Sequence, residues 1–458
     1  VQLYGKVSAT NQLGNGGKVT IFVKSGSGYV IFHDEIFASN VSVNTDKGGV
    51  KFMKHITLSM IDPNAVFENE ADRGKIPAAS STAIQDGEIY VRINGDGDII
   101  FDNAASLGGI TRYTKYLHGQ DGSLTASNNY YASNNVNRFI LSTNGNIKLQ
   151  TNVDVRANGQ FDISSKLLEH AYITANNASI AIRLSGAEFD QLDPMSGGLK
   201  FFVSSANLVL DDKISFINAT NATFSTPGNM YVLQNVTVDN LSLTFHELHF
   251  VHPACNYQQC NISKGSLNVH NGGKLILASN QSFNYDDNLL KYIYNTSNVN
   301  LTLKSLDSLT IATAINVAGG RSLNLTAKSI VVTADITSQD GHVTLRYVNR
   351  DGKSTSVFDQ NTANHMKLTG NNTFAVFASN NLLINGQVNN LNIADFAVEG
   401  AGTLTINAEL TARQHLGFRS FGSIYINKQV RTLPGGEAVE YILPNKDKNL
   451  HYGIVPPR

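Results

Sequence analysis

The chain is poor in charge, nearly free of cysteine and without a long apolar run. Only 16% of its 458 residues are charged, and 35 basic residues face 36 acidic ones. A nucleic-acid or anionic-membrane partner needs a concentrated basic surface, so this balance argues against both. Two cysteines cannot build a disulfide-dense scaffold. No stretch of 18 apolar residues is present, so no helix is long and apolar enough to span a bilayer. Tryptophan is absent, helix formers are sparse, and no segment sustains a helical apolar period. Several helical or α/β domains are thereby excluded, although the length would allow them.

What remains is rich in Asn, Ser, Thr, Val and Gly, and it repeats. Short strand-like runs opened by Gly or Asn recur about every 20 to 30 residues, among them Val19–Val23, Ile89–Ile93 and Ile147–Thr151. Later ones begin at Leu267, Leu301, Leu323, Val343 and Leu404. Within one repeat, Leu301/Leu303, Leu309/Ile311 and Ile315/Val317 form apolar pairs in period-2 alternation. The next repeat answers with Leu323/Leu325, Ile330/Val332 and Ile336. Alternation of that kind marks strands with one buried face. A unit of about 20 residues cannot bury its own apolar face, so neighbours must stack. Three short strands per unit predict a right-handed parallel β-helix with loop insertions. The pairs Asn176-Asn177, Asn371-Asn372 and Asn380-Asn381 fit its corners, where Asn tolerates a left-handed backbone.

The expected organisation is one coil stack over residues 1–410 with insertions near 60–86, 103–137 and 245–262. The rhythm fades from 411, so residues 411–458 are expected to form a cap or tail over the open strand edges. The chain opens at Val1 without a charged-then-apolar leader, so any signal peptide is expected upstream.

Three phrases carry a family resemblance. Ile56–Val66 contains Leu58 and Asp62-Pro63-Asn64; Gly87–Ile93 follows an irregular stretch; Gly95–Phe101 closes the series. Together they resemble secreted exoproteins of the two-partner secretion class, the filamentous haemagglutinin and high-molecular-weight adhesin family, over about residues 16–101. The resemblance implies an extracellular bacterial β-helix, exported through an outer-membrane transporter and placed at the cell surface or secreted. It implies an adhesin that binds a host glycan or receptor, without catalysis and without a cofactor. Haem-carrier capture and contact-dependent inhibition use the same class of exoprotein and stay open as alternatives.

The densest constellation runs through His246, His249, His252, Cys255 and Cys260. Such residues can ligate zinc or copper, but in a strand His249 points away from His246 and His252. Two close cysteines in an otherwise cysteine-free secreted chain favour a Cys255–Cys260 disulfide, and no metal is assigned. A polysaccharide lyase or hydrolase is the lesser reading. Asp46, Asp211-Asp212, Asp286-Asp287 and Gly341-His342 superficially suggest such sites, yet Asp46 and Asp211 lie several coils apart. Tyrosines collect at Tyr113, Tyr116, Tyr130 and Tyr131, beside Arg112, Lys115 and His118, and again at Tyr285, Tyr292 and Tyr294. Exposed tyrosine suits sugar stacking or protein contact, whereas loop-pinning rings would be structural. The first group is the expected binding surface. Asn-x-Ser/Thr triplets occur at twelve positions, including Asn40, Asn221, Asn280, Asn300 and Asn371. Their glycosylation is implied by the resemblance alone.

Overall fold

The computed structural model describes residues 1–9, 18–58, 66–67, 87–102, 109–118, 124–133, 136–170, 172–176, 178–185, 190–195, 199–203, 208–210, 214–217, 219–251, 264–349, 353–388, 393–443 and 450–453. They gather into two compact units: residues 1–238 with 251–264, and residues 239–250 with 265–458. Each unit is a parallel β-helix. Helix among the described residues is confined to short pieces such as Asp287–Leu290 and Gln360–Asn364.

In the first unit the principal sheet stacks Lys18–Val23, Asn40–Thr45, Glu88–Ile93, Val136–Ser142 and the later half of Val153–Ser165 in parallel register. Ser179–Leu184 and Ala219–Ser225 extend it. A second sheet runs Gln2–Leu3, Val30–Phe32, Val50–Phe52, Ile99–Phe101, Ile147–Leu149 and Leu168–His170. A third begins with Val7–Ser8, Ile36–Ala38 and Ile56–Leu58. Inward positions are apolar and buried, as Val41, Val43, Ile89 and Val91 illustrate. Because parallel strands place like residues above like, aromatic rings form a column. Phe32, Phe52 and Phe101 stack at 4.9 and 4.6 Å in the second sheet, Phe139 and Phe161 pair at 5.3 Å in the principal sheet, and Phe101 meets Phe139 across the interior at 5.6 Å.

In the second unit the register joins Leu301 to Leu323 and Leu323 to Val343, intervals of 22 and 20 residues. Val343 then pairs with Phe374, Phe374 with Phe396 and Phe396 with Leu416. The longer step to Phe374 holds the strand Thr355–Phe358 and the helix Gln360–Asn364, and the ladder resumes with Thr373–Ala378 laid on His342–Tyr347. Ser308–Ile311 pairs with Ser329–Val332, and Ile315–Val317 with Ile336–Gln339, giving the second and third faces. Stacking does not stop at residue 410. Within residues 411–458, expected as a cap or tail, the described residues carry His415–Ser420, Ile424–Ile426, Val430–Thr432, Glu440–Ile442 and Leu450–Tyr452, each laid on the preceding coil.

Corners are closed by hydroxyls. A buried Ser or Thr lies at the end of several principal strands and donates across its own turn, as Thr45 Oγ1 to Gly48 O at 2.5 Å and Ser305 Oγ to Ser308 O at 3.0 Å, or to the preceding coil, as Thr143 Oγ1 to Gly97 O at 2.5 Å. The same oxygens accept from later backbone, as Asp307 N to Ser305 Oγ at 3.1 Å shows. Glycine is required where successive turns touch. A Cβ on Gly97 would lie 2.6 Å from Gly48 C, and one on Gly145 would lie 2.4 Å from Asp96 O. The Asn pairs work differently from expectation. Among the described residues the non-glycine positions with positive φ are Ser25, Asn295 and Asp340, so Asn371, Asn372, Asn380 and Asn381 are not left-handed. Their contribution is side-chain hydrogen bonding. Asn372 is fully buried; its Oδ1 accepts from Ser338 Oγ at 2.7 Å and Gly341 N at 2.9 Å, and its Nδ2 donates to Ser338 O at 3.1 Å. A further corner stacks Asn385, Asn407 and Asn427 through amide bonds of 3.1 and 2.8 Å.

Candidate functional site

The expected binding insertion is an antiparallel ribbon in the first unit. Gly109–His118 pairs along its whole length with Leu124–Ser133, and Thr114 and Lys115 also pair in parallel with Val66 and Phe67. The two insertions expected near 60–86 and 103–137 therefore meet in one three-stranded sheet. Polar residues are spread through both strands, so neither alternate set of positions forms a continuous apolar row to bury, which favours a ribbon over another coil. Register places Arg112 opposite Tyr130, Tyr113 opposite Asn129, Lys115 opposite Ser127, Tyr116 opposite Ala126, and Thr111 opposite Tyr131. By strand parity Arg112, Tyr116 and Tyr130 share one face of the ribbon, and Tyr113, Lys115 and Tyr131 share the other. The six candidates thus divide between two faces, each with two tyrosines and one cation.

The other described candidates are each engaged by neighbouring residues. His246 Nδ1 lies 2.8 Å from Asn280 Oδ1, and His249 Nε2 lies 3.1 Å from Glu247 Oε2. These two histidines engage different neighbours. His252, Cys255 and Cys260 lie outside the described residues, so the expected disulfide does too. No group of three or more His, Cys, Asp or Glu among the described residues could hold a metal ion. Asp46 accepts from Asn94 Nδ2 at 3.3 Å and Ser25 N at 3.4 Å. Asp286 caps the helix Asp287–Leu290 by accepting from Asn288 N and Leu289 N, both at 3.0 Å, and Asp287 accepts from Thr313 Oγ1. Asp211 and Asp212 lie outside the described residues. No described helix is long and apolar enough to cross a membrane.

The second tyrosine group separates. Tyr285 is core, 1% exposed, and burial pushes its hydroxyl up to about 12, against a small opposing effect of its hydrogen bond with Thr296. Tyr292 stacks on Phe250 at 5.0 Å. Tyr294 alone of the three is exposed. Of the Asn-x-Ser/Thr asparagines, Asn221, Asn235 and Asn371 are exposed, while Asn40, Asn240, Asn280, Asn295, Asn300 and Asn324 are half-buried.

One surface feature had no counterpart among the sequence candidates. A groove of about 540 Å³ in the second unit is lined by Lys304, Leu306, Lys328 and Val348 with their neighbours. Leu306 is 57% exposed, the one sequence-level hint, since it follows Ser305 where the alternation would place a polar residue. Comparison with known proteins adds no assignment: no family model, no curated protein and no solved structure matches the chain.

Proposed function

We propose that the chain is part of a secreted bacterial surface adhesin whose coils display a recognition ribbon, serving display rather than catalysis. The observation that carries this reading is the ribbon itself. Gly109–His118 and Leu124–Ser133 leave the parallel stacking and pair antiparallel with each other, and the register divides the tyrosine and cation positions between alternate parities of the ribbon. A ribbon fixed to packed coils is a natural recognition element, because the scaffold holds it while its own sequence varies. Tyrosine supplies flat apolar area with a polar end at low conformational cost, and Arg or Lys beside it favours a hydroxyl- or carboxylate-rich partner. The resemblance of about residues 16–101 to two-partner secretion exoproteins supports an extracellular setting, export through an outer-membrane transporter and a host glycan or receptor as partner; in that setting the two close cysteines favour a Cys255–Cys260 disulfide. Against catalysis stand the structural uses of Asp46, Asp286 and Asp287 described above.

The test replaces Tyr113, Tyr116, Tyr130 and Tyr131 together by Ala and compares binding to a glycan array and to epithelial cells. Circular dichroism should be unchanged and binding should fall at least tenfold. Unchanged binding by a folded variant would transfer recognition to another surface. Turnover of a polysaccharide by the parent protein would replace the reading with an enzymatic one.

A further inference from the structure

The groove in the second unit has a composition that selects a ligand class. Its lining comes from five successive coils, from Thr244 through Ala278, Leu306 and Lys328 to Val348. At a strand spacing of about 4.8 Å this makes a channel roughly 19 Å long, running along the coil axis. Its floor is aliphatic: Ala278, Leu306 and Val348, with Lys304 and Lys328 presenting their methylene stems. Both lysines are exposed and neither has an ion-pair partner among the described residues. No Asp or Glu lines the groove, and no aromatic ring does. The carboxylate beside the groove, Asp307, accepts from Ser282 Oγ at 3.0 Å and does not line it, so the two lining ammonium groups attract an anion. The missing aromatic platform and the scarcity of free hydrogen-bonding groups disfavour a sugar, since the lining hydroxyls of Ser279 and Ser305 already donate to His246 O and Gln281 O at 3.0 and 2.6 Å. The volume falls in the range of small-ligand sites.

The geometry points to a binding site for a long-chain alkyl carboxylate, a free fatty acid. Its carboxylate is held between Lys304 and Lys328, and its chain lies along Leu306 and Val348. This site is independent of the ribbon and does not rest on the adhesin reading. Lysine suits this role, because each ammonium is a point charge with three donors on a flexible stem, able to follow a carboxylate on an open surface.

The test is calorimetric titration of the whole chain with octanoate, decanoate and dodecanoate, each below its micellar concentration. We expect one saturable site, with affinity rising about twofold per methylene because the groove shields only part of the chain. The double substitution K304Q/K328Q should weaken dodecanoate about tenfold, with unchanged circular dichroism. Leu306→Asp should abolish binding. The ribbon variant lacking four tyrosines should bind dodecanoate normally, which separates failure here from failure of the adhesin reading. Three control arms decide against the proposal. Trigalacturonate binding as tightly as dodecanoate would make this an acidic-saccharide site. Equal binding of a neutral twelve-carbon maltoside would remove the role of the lysines. Binding only to phosphatidylglycerol vesicles would make it a membrane contact. Dodecanoate affinity unaltered by K304Q/K328Q overturns the assignment outright.

Discussion

Phe101→Ala tests whether the aromatic column is a principal source of stability in the first unit. Phe101 is fully buried and lies between Phe52 at 4.6 Å and Phe139 at 5.6 Å. Truncating a buried Phe costs about 3–5 kcal/mol through lost transfer energy and the cavity left behind. Two ring pairs are lost at once, each worth about 0.5–1.5 kcal/mol beyond its area, so the upper end applies, about 5 kcal/mol. Phe101→Leu keeps most of the volume and forfeits the ring pairs, for about 2 kcal/mol. In stacked coils each unit contacts only its neighbours, so the damage should be local. Urea unfolding followed by circular dichroism gives the total, and amide exchange gives its location. Protection should collapse first in Val50–Phe52, Ile99–Phe101 and Ile147–Leu149, which pair with one another. A loss under about 2 kcal/mol for the Ala variant, or protection falling equally at Leu301–Leu345, would refute the column as a local determinant.

Asn372→Ala should cost about 3 kcal/mol in the same unfolding assay, because Ser338 Oγ and Gly341 N lose their acceptor inside the core. Tyr347→Phe should be neutral or stabilising by about 1 kcal/mol: the hydroxyl is buried without a hydrogen-bond partner among the described residues, and burial, then the nearby Asp359, raises its pKa. Tyr285 makes stability fall in alkali. Its folded-state value of about 12 exceeds the ordinary one near 10, so the folded state keeps its proton while the unfolded chain loses it. That contribution is fully present well below pH 10 and should decline by about 2 kcal/mol by pH 12 and a little more as pH rises through that value; the decline attributable to this site should vanish in Tyr285→Phe, measured by denaturant titration across that window.

The coil scaffold was legible because its signal is local and repeated. Leu301/Leu303 and Leu323/Leu325 alternate with polar residues, and their spacing alone anticipates the observed register. The strands beyond residue 410 were less legible because Leu433-Pro434-Gly435-Gly436 and Leu443-Pro444 interrupt the alternation there and read as the punctuation of a tail. Tyr285 read as surface chemistry because tyrosine is ambiguous; its place two residues after Phe283 on one buried face was the better guide. The corner hydroxyls and the groove depend on residues that meet only after stacking. Lys304 and Lys328 are 24 positions apart in sequence yet line one channel. No local pattern encodes that.

The conversion of a long contour into a short axial step has a mechanical consequence. A coil such as the one from Leu323 to Val343 advances the stack by about 4.8 Å, whereas 20 residues pulled straight span about 70 Å. Tension along the coil axis must therefore peel one coil at a time, each release adding roughly 65 Å of slack before the next coil feels the load. Under force the second unit should behave as a series of extensible links that yield in sequence. Each closed coil resists through its own buried residues and corner bonds, so a pulled stack would absorb work over a distance many times its folded height.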